Sequence, residues 1–405
     1  MWIITRIVIA IVFLVLLQFY FSKKIQRTFN QLFPKATQKI FKYLIKIFLL
    51  WLNLYPLILI TSLIYSVVTK QSPLFPDHIL LDYLVIYPFW ILFILTFQLA
   101  VYFLLFDLMK LLLFPIYRKY KEKFLRYESI LILFLSVFFV FYIPARIIYD
   151  YNAVEITEIN YNKDVPAELR GFRLIFISDI QADKYTDTKR LKNFIDKVNQ
   201  LNPDLVLIAG DVITSTPEYI ETAAKYIGMI KSRYGVYSCV GDHDNWAYRQ
   251  DTQRSVKEVT SALEKYHVEM IDNDVKRIKV DSTVLGITFI TNTYVEKIPE
   301  DVLTKLTNSN HADFKILLTH QPQENLIKAA ANTGYNLFLA GHTHGGQLTL
   351  LFPFIQITPT LVETTFIRGQ RYYNNMLAVV TRGLGMSLAP VRYNSTPEIV
   401  RINFQ

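Results

Sequence analysis

Carboxylate, amide and imidazole side chains recur in five short clusters in the C-terminal part of the 405-residue chain. These clusters are Asp179-Ile-Gln181, Gly210-Asp211, Gly241-Asp-His-Asp244, His320 and Gly341-His-Thr-His344. Imidazoles suit zinc, iron and other first-row metals, and carboxylate oxygens also suit manganese. Two divalent ions held about 3.5 to 4 Å apart can activate a water and stabilise both the attacking and the leaving oxygen of a phosphoryl group. The clusters therefore predict a two-metal site.

The clusters stand where short apolar runs end. Runs rich in branched and aromatic residues each stop at a ligand-type residue, at positions 174–178, 205–209, 236–240, 316–319 and 337–340. Segments with helical periodicity lie between them, at 188–200, 217–231 and 252–266. This alternation predicts an α/β fold. In such sheets, sites form beyond the carboxyl ends of the strands, so clusters far apart in sequence can meet in one pocket.

Each cluster taken alone has an ordinary structural explanation. An aspartate that follows an apolar strand, such as Asp211, is more often a turn or helix-cap residue than a catalytic one. A lone histidine such as His320 is usually a hydrogen-bonded core or surface residue. Gly341-His-Thr-His344 is more specific, because alternate positions of an extended segment point the same way. The joint occurrence of the clusters, each at a strand end, favours the metal site.

The C-terminal part, at about residues 174–403, resembles the calcineurin-like metallophosphoesterase superfamily, whose members carry Asp-x-His, Gly-Asp, Gly-Asn-His-Asp/Glu, a later His and Gly-His-x-His. The tail, with Arg382-Gly-Leu-Gly385, Pro390-Val-Arg392 and Pro397-Glu-Ile399, also resembles the membrane-associated bacterial branch related to the YaeI and YkuE phosphodiesterases. The resemblance implies a four-layer α/β/β/α sandwich with a pair of divalent metal ions, Mn, Fe or Zn.

The resemblance also implies a role for each matching position. The first metal would be held by Asp179, Gln181, Asp211 and His344, and the second by Asp211, Asp242, His320 and His342. Asp211 would bridge the two. His243 would protonate the leaving oxygen or stabilise its charge, and Asp244 would orient His243.

Two arginines are further candidates for the site. Arg382 and Arg392 could bind the substrate phosphate, because a guanidinium binds two phosphate oxygens at once. Most arginines have no such role.

Two positions depart from the superfamily pattern. Gln181 replaces a histidine, and its amide oxygen ligates soft metals more weakly, which favours Mn or a looser first site. Asp242 replaces an asparagine and adds a negative charge. With two divalent ions and three carboxylates the formal charge is about +1 rather than +2. We therefore expect a monoanionic diester to be favoured over a dianionic monoester.

Residues 1–150 predict a membrane region, and residues 151–405 the metallophosphoesterase domain. Four mostly apolar stretches, at 2–21, 47–68, 83–106 and 129–149, are long enough to cross a bilayer. Buried core helices are the weaker alternative, because short basic loops separate the stretches. The first stretch could instead be a signal peptide, but no small-x-small cleavage site follows it, which favours an uncleaved anchor.

The charge distribution predicts the topology. Residues 1–150 hold 16 Lys and Arg against 6 Asp and Glu, whereas residues 151–405 hold 27 against 28. The net charge of +9 is thus a property of the membrane loops, and nucleic acid is not an expected partner. The basic loops at 22–46 and 107–128 should face the cytoplasm and the loop at 69–82 the outside. The catalytic domain should then lie on the extracytoplasmic side. The basic loops could also hold anionic lipid head groups, although solvated loops are the simpler interpretation.

Together these features predict a multi-pass membrane protein of the cell membrane that hydrolyses a phosphodiester or pyrophosphate bond. The tether places the domain within reach of the bilayer, which favours a lipid-linked or envelope substrate. Apolar residues at 352–373 could form a lipid-contacting lip, or could simply pack on their own domain. The competing function is a membrane receptor or transport component whose domain binds phosphate without hydrolysing it.

Overall fold

The computed structural model of the chain describes residues 2–69 and 78–405. Its contacts divide the chain into two compact units, Met1–Ile148 and Tyr149–Gln405. Each unit has its own internal packing, and each is described separately below.

The described part of the first unit is helical. Its helices are α1 (Trp2–Leu32), α2 (Lys35–Thr69), α3 (Ile79–Leu81), α4 (Tyr87–Leu112), α5 (Phe114–Lys119) and α6 (Lys121–Asn152). A π-helical turn, Asp82–Ile86, joins α3 to α4. Segments long and apolar enough to cross a membrane are Val8–Leu32, Thr37–Thr69, Ile79–Leu112 and Lys121–Asn152. The four stretches predicted from the sequence lie on these helices.

The two basic loops predicted from the sequence are mostly helical, so that part of the prediction was wrong. The basic residues of 22–46 lie on the end of α1 and the start of α2, with a break only at Phe33 and Pro34. Those of 107–128 lie on α4, α5 and α6. Lysine, arginine and glutamine are good helix formers, so the helices continue beyond the apolar stretches. In the predicted outward loop at 69–82, residues 70–77 lie outside the described residues.

A hydrogen bond between helices compensates for a proline. Pro88 has no backbone N–H, so it cannot donate to the carbonyl of Leu84 one turn earlier. Trp51 Nε1 on α2 donates to that carbonyl instead, at 2.7 Å. Such compensation is what allows proline within a membrane-spanning segment.

The second unit consists of strands and shorter helices. Its strands are β1 (Glu155–Tyr161), β2 (Arg173–Ile177), β3 (Leu205–Ile208), β4 (Val236–Cys239), β5 (Val268–Ile271), β6 (Asp274–Val280), β7 (Thr283–Ile290), β8 (Phe314–Thr319), β9 (Leu337–Ala340), β10 (Gly369–Tyr373), β11 (Met376–Val380) and β12 (Glu398–Phe404). Its helices are α7 (Thr188–Gln200), α8 (Ile220–Ile227), α9 (Thr252–Lys265), α10 (Glu300–Ser309) and α11 (Glu324–Asn332).

In Tyr149–Gln405, where every residue is described, the strands form two six-stranded sheets. The first has the order β1-β12-β2-β3-β4-β5 and the second β10-β11-β9-β8-β7-β6. The neighbours β2, β3 and β4 are parallel, and so are β7, β8 and β9. The carboxyl ends of each parallel set therefore meet at one edge of their sheet.

Hydrophobic packing arranges this unit in four layers. Phe176 and Leu207 of the first sheet share a core with Phe289 and Leu318 of the second, so the sheets pack face to face. Alternate strand residues point to the outer faces. The outer face of the first sheet packs on α7, α8 and α9, and that of the second on α10 and α11. The four-layer α/β/β/α sandwich predicted from the sequence is confirmed.

Candidate metal centre

Two groups of metal-binding side chains converge where the parallel strands end. One group is Asp179, Asp211 and His344, and the other is Asp242, His320 and His342. Within each group the ligand atoms lie within 4.8 Å of one another. The three aspartates follow β2, β3 and β4, and the three histidines follow β8 and β9. The fold thus brings both sheets to one site.

Asp211 lies between the two groups. Its Oδ2 is 3.3 Å from His320 Nε2 of the other group, while Asp211 itself groups with Asp179 and His344. This is the position of a carboxylate that can bridge two cations.

A buried carboxylate oxygen without a hydrogen-bond donor indicates independently that the site fits divalent cations. Asp179 is completely buried, yet its Oδ1 accepts no hydrogen bond from any described residue. A buried carboxylate oxygen without a partner costs free energy unless something else compensates its charge. His344 Nε2, 3.4 Å away, offers a second lone pair on the same side. A cation held between them would satisfy both atoms.

The charges of the site call for further positive charge. Burial alone favours the neutral imidazole of His320, but Asp211 and Asp242 outweigh it and raise the pKa of His320 well above its ordinary value. Burial is likewise outweighed at His342, where hydrogen bonds to carboxylates raise the pKa to about 9. Burial, and then the charge of Arg392, lowers the pKa of His344 well below its ordinary value. A neutral imidazole is the form that binds metal.

Five of the proposed ligand positions have left-handed backbone conformations. The φ angles are +51° at Asp179, +49° at Gln181, +57° at Asp211, +70° at His342 and +48° at His344. Side chains other than glycine rarely adopt this region, and such strain clusters at functional sites. The turns after β2, β3 and β9 are therefore shaped to aim these side chains into the centre.

The glycines of the motifs allow the turns to approach closely. A Cβ at Gly241 would collide with the backbone N–H of Asp211, and one at Gly341 would collide with the carboxylate of Asp179 and the side chain of Ser178. Glycine at these two positions is thus required for the aspartates to reach the centre.

Gln181 reaches the centre with its amide nitrogen. Nε2 donates to Asp211 Oδ2 at 2.9 Å and lies 3.4 Å from His344 Nε2. The Gln181 amide oxygen lies 3.5 Å from Thr214 Oγ1, whose closest acceptor is Asp183 Oδ2 at 3.0 Å. For Gln181 to be a metal ligand, its amide would have to turn over and present Oε1, since only the oxygen carries a free lone pair.

Asp242 has a partner that sequence reasoning missed. Gln321 Nε2 donates to both carboxylate oxygens of Asp242, at 3.0 and 2.8 Å. Gln321 cannot easily turn over, because its Oε1 accepts from Lys297 Nζ at 3.0 Å and from Gln323 Nε2 at 2.7 Å. The backbone N–H of Tyr294 donates to Asp242 Oδ1 at 2.6 Å. The additional charge at 242 is therefore accommodated by dedicated donors, and the only sequence signal was that Gln321 adjoins His320.

His243 is oriented by a backbone carbonyl. Its Nδ1 makes a short hydrogen bond to the carbonyl oxygen of Thr214, and its Nε2 lies 3.1 Å from Ser387 Oγ. Its ring meets Trp246 edge to face, with the centroids 4.5 Å apart. The ring is thus held with Nε2 available for proton transfer.

Asp244 does not orient His243, which corrects the role implied by the resemblance. Its carboxylate accepts hydrogen bonds from the backbone N–H groups of Asp211, Val212 and Gly241, at 3.0, 2.8 and 2.8 Å. Burial raises the pKa of Asp244 to about 6. Asp244 holds the turns after β3 and β4 together, and Thr214 takes the role expected of it.

Neither candidate arginine is placed to bind a substrate phosphate. Arg392 is completely buried, and all of its N–H groups face the carbonyls of His344, Arg382, Gly385 and Ser395 or His344 Nδ1. Arg382 forms ion pairs with Glu155 and Glu398, each at 2.8 Å. Their guanidinium groups are already occupied, so the prediction of two phosphate clamps was wrong. Arg392 instead fixes the ring of His344.

Glu363 is a second residue that the sequence did not reveal. Its Oε2 lies 3.1 Å from His342 Nε2, and Tyr294 Oη lies 3.3 Å from the same nitrogen. The His342 Nδ1 atom faces Asp242 at 2.9 Å. A carboxylate behind a ligating imidazole fixes its tautomer and strengthens it as a ligand. No motif marks Glu363, which caps the end of the 3-10 turn Pro359–Val362.

An open cleft of about 640 Å³ borders this edge of the centre. Its walls include His342, Tyr294, Glu363 and Val362, and the side chain of Val362 is 90% exposed. Within the predicted lip at 352–373, Phe354 is fully exposed, whereas residues 366 and 367 are buried. The segment thus packs on its domain at one end and projects apolar side chains at the other.

Comparisons with known proteins agree with this geometry. The calcineurin-like phosphoesterase family matches residues 172–346. A Danio rerio protein named transmembrane protein with metallophosphoesterase domain is 30% identical over 245 residues, which cover 59% of this chain and 54% of that protein. The chain therefore spans about half the length of that relative. The Bacillus subtilis (strain 168) metallophosphoesterase YkuE is 28% identical over 258 residues, which cover 61% of this chain and 84% of YkuE.

The matched region contains the strands, turns and histidines that build the centre, from β2 to His344. It also contains every residue of the two donor groups. Residues 172–346, with both donor groups, therefore form a domain of the calcineurin-like phosphoesterase family.

Proposed function

We propose that this protein is a membrane-anchored phosphoesterase that hydrolyses a phosphodiester or pyrophosphate bond with a pair of divalent cations. The observation that carries the proposal is the position of Asp211 between two donor groups, Asp179 and His344 on one side and His320 with Asp242 on the other. One isolated group would support a single structural ion. Two groups that share a carboxylate support the dinuclear chemistry of phosphoryl transfer.

The chain's own residues provide the cation sites. Asp179, Asp211 and His344 would hold one cation, and Asp242, His320 and His342 the other. A bound pair would supply an activated water and would neutralise the charge that develops on the phosphoryl oxygens. The His320 ring is fixed for this role, because its Nδ1 faces the carbonyl of Ala209 at 2.7 Å and leaves Nε2 for the centre.

His243 is the residue placed to move a proton. Its Nδ1 donates to the Thr214 carbonyl in both the neutral and the protonated ring, so Nε2 is the nitrogen that can release a proton to the leaving oxygen. Ser387 Oγ, 3.1 Å from Nε2, holds the ring direction.

The charge at position 242 supports a preference for diesters. Asp242 is buried among donors that keep it ionised, because Gln321, His320 and His342 all contact its carboxylate. A dianionic monoester would bring one more negative charge to this site than a monoanionic diester. We therefore favour a diester or a pyrophosphate as the substrate.

Exposed apolar side chains support a lipid-linked or envelope substrate. Val362 lines the cleft beside His342, and Leu388, next to Ser387, is 93% exposed. Apolar groups at a polar centre suit a ligand with an apolar part. The helices tie the domain to a bilayer that would contain such a ligand.

The charge asymmetry of the helices supports an extracytoplasmic catalytic domain. Lys24 of the basic segment 22–46 pairs with Asp107 and Glu128 of the basic segment 107–128, so the two segments lie at the same end of the helical unit. By the positive-inside tendency that end faces the cytoplasm. From that end only the span Lys121–Asn152 separates the chain from its catalytic domain, and this single crossing places Gln405 outside. A reporter fused after Gln405 that is active only in the cytoplasm would contradict this topology.

The activity is tested with purified full-length protein loaded with Mn, Fe or Zn. We expect turnover of a bis-aryl phosphate to exceed that of a mono-aryl phosphate, and Asp211→Ala to abolish both. Asp196→Ala is the matched control, because Asp196 is a partly exposed aspartate on α7 that pairs with Lys192, away from the centre. Phosphate binding without turnover in all three metal forms would favour the receptor alternative. A clear preference for the monoester would refute the diester assignment.

A further inference from the structure

A polar cavity of about 220 Å³ lies among α1, α4 and α6 of the helical unit. One water molecule occupies only ~30 Å³, so the cavity has room for a larger polar group. Ionisable side chains inside membrane-spanning helices are costly and usually mark a functional site. This cavity is separate from the metal centre and does not depend on the proposed phosphoesterase activity.

Four of the residues that line it form a neutral network. Lys24 lies 2.5 Å from Asp107 and 2.6 Å from Glu128, and Lys110 lies 2.6 Å from Asp107 and 2.9 Å from Glu128. Two lysines and two acids cancel in charge. Tyr20 Oη donates to Asp107 at 2.7 Å, which further fixes this neutral network.

Two further cations line the cavity without a counter-charge. Lys23 and Arg27 are four residues apart on α1 and therefore lie on the same face of the helix. Neither has an acidic partner among the residues that the structure describes. Lys23 lies over the ring of Phe19, 4.3 Å from its centroid. The ionisable side chains that line the cavity therefore sum to about +2, because the network of four is neutral.

An apolar groove of about 160 Å³ adjoins the polar cavity. Lys110 and Glu128 line both spaces, and the groove continues past Leu113, Tyr127 and Leu131. The two spaces together suit a molecule with an anionic end and an apolar chain. Inorganic phosphate would fill only the polar part.

We propose that the cavity binds the headgroup phosphate of an anionic membrane lipid, with an acyl chain in the adjoining groove. Lys23 and Arg27 bind the phosphate, and the neutral network of Lys24, Lys110, Asp107 and Glu128 holds α1, α4 and α6 around it. Both basic segments meet at this end of the helices. The cavity therefore opens to the leaflet in which anionic lipids attract basic side chains.

Diffuse attraction is the alternative that the experiment must separate from a defined site. Lys39 and Lys42 on α2 are exposed as Lys23 and Arg27 are, but they do not line the cavity. A paired substitution of Lys39 and Lys42 removes the same charge from the same basic segment. It is therefore the matched control.

The test titrates purified full-length protein with phosphatidylglycerol, with phosphatidylcholine and with inorganic phosphate, and measures bound ligand by native mass spectrometry. We expect selective retention of phosphatidylglycerol. Lys23→Ala/Arg27→Ala should weaken it about thirtyfold, which corresponds to ~2 kcal/mol for two basic residues. Lys39→Ala/Lys42→Ala should change it little. Leu131→Trp, which fills the groove, should weaken lipid binding but not phosphate binding.

Three outcomes would overturn the proposal. These are equal retention of phosphatidylcholine, an equal loss in the Lys39→Ala/Lys42→Ala control, and displacement of the lipid by inorganic phosphate at comparable concentration. An unchanged unfolding temperature in Lys23→Ala/Arg27→Ala shows that a loss of binding is not a loss of fold.

Discussion

Replacing Asp242 by asparagine restores the residue of the superfamily pattern, yet we expect it to weaken the second cation site of this protein. The backbone N–H of Tyr294 donates to Oδ1 at 2.6 Å, so the asparagine must keep its oxygen there. Its Nδ2 then takes the place of Oδ2, which lies 3.3 Å from His320 Nε2 and 2.9 Å from His342 Nδ1. The atom facing the cation would be an N–H donor rather than a ligand.

The asparagine would also bring its N–H group against the N–H group of Gln321. Its Nδ2 would face Gln321 Nε2, which now donates to Oδ2 at 2.8 Å and is held in that orientation by Lys297. An unsatisfied buried donor costs ~1 to 3 kcal/mol, and a lost hydrogen bond to a charged group costs a similar amount. We expect a total loss of ~3 kcal/mol, or roughly a 150-fold weaker second cation site.

The assay is competition for metal between the full-length protein and a chromophoric chelator, with stoichiometry measured by elemental analysis. Asp242→Asn should retain one cation and release the other. Adding Gln321→Glu should recover about tenfold in affinity, because a carboxylate at 321 accepts both from Asn Nδ2 and from Lys297. Wild-type affinity for both cations in Asp242→Asn would refute the reasoning about ligand geometry. A double variant no tighter than the single would refute the role of Gln321.

Three further predictions concern the surroundings of the centre. Glu363→Gln should weaken cation binding at the second site about 10- to 100-fold, because His342 loses the carboxylate that orients it. Glu324 is an exposed carboxylate of the same cleft, and Glu324→Gln should leave cation binding unchanged. Equal metal titrations of the two variants would contradict this. Arg392→Met should lower the unfolding temperature measured by calorimetry. The buried carbonyls of His344, Gly385 and Ser395 would lose their hydrogen-bond donor, and each unsatisfied carbonyl costs ~1 to 3 kcal/mol of stability. Removal of the cations by a chelator should also lower the unfolding temperature, because a ligand at a hundred times its Kd adds ~2.7 kcal/mol to the free energy of unfolding. An unchanged melting curve would show that the centre holds no cation.

The sequence predicted the elements whose signals are local. The helical period of 188–200 matches α7, and each apolar run before a ligand is a strand. The helix predicted at 217–231 is shorter: a 3-10 turn, Pro217–Tyr219, precedes α8 (Ile220–Ile227), and Gly228 caps its end. Periodicity alone did not locate these boundaries.

Residues that act through tertiary contacts could not be predicted in this way. Thr214 orients His243 across 29 positions of sequence, and Glu363 supports His342 from the end of a 3-10 turn. Such pairings exist only after the sheets have packed, and neither residue belongs to a repeated spacing. The basic residues of the helical unit show the opposite error. Their charge predicted loops, whereas their helix-forming side chains continue the helices.

The left-handed turns complicate mutational mapping of the centre. At Gln181 or His342, alanine removes the donor but retains the unfavourable φ angle, whereas glycine removes both the donor and the conformational penalty of ~1 kcal/mol or more. An alanine scan of these turns therefore combines two opposite contributions in one number. Comparing alanine with glycine at each position separates what a side chain gains by ligation from what its main chain costs the fold.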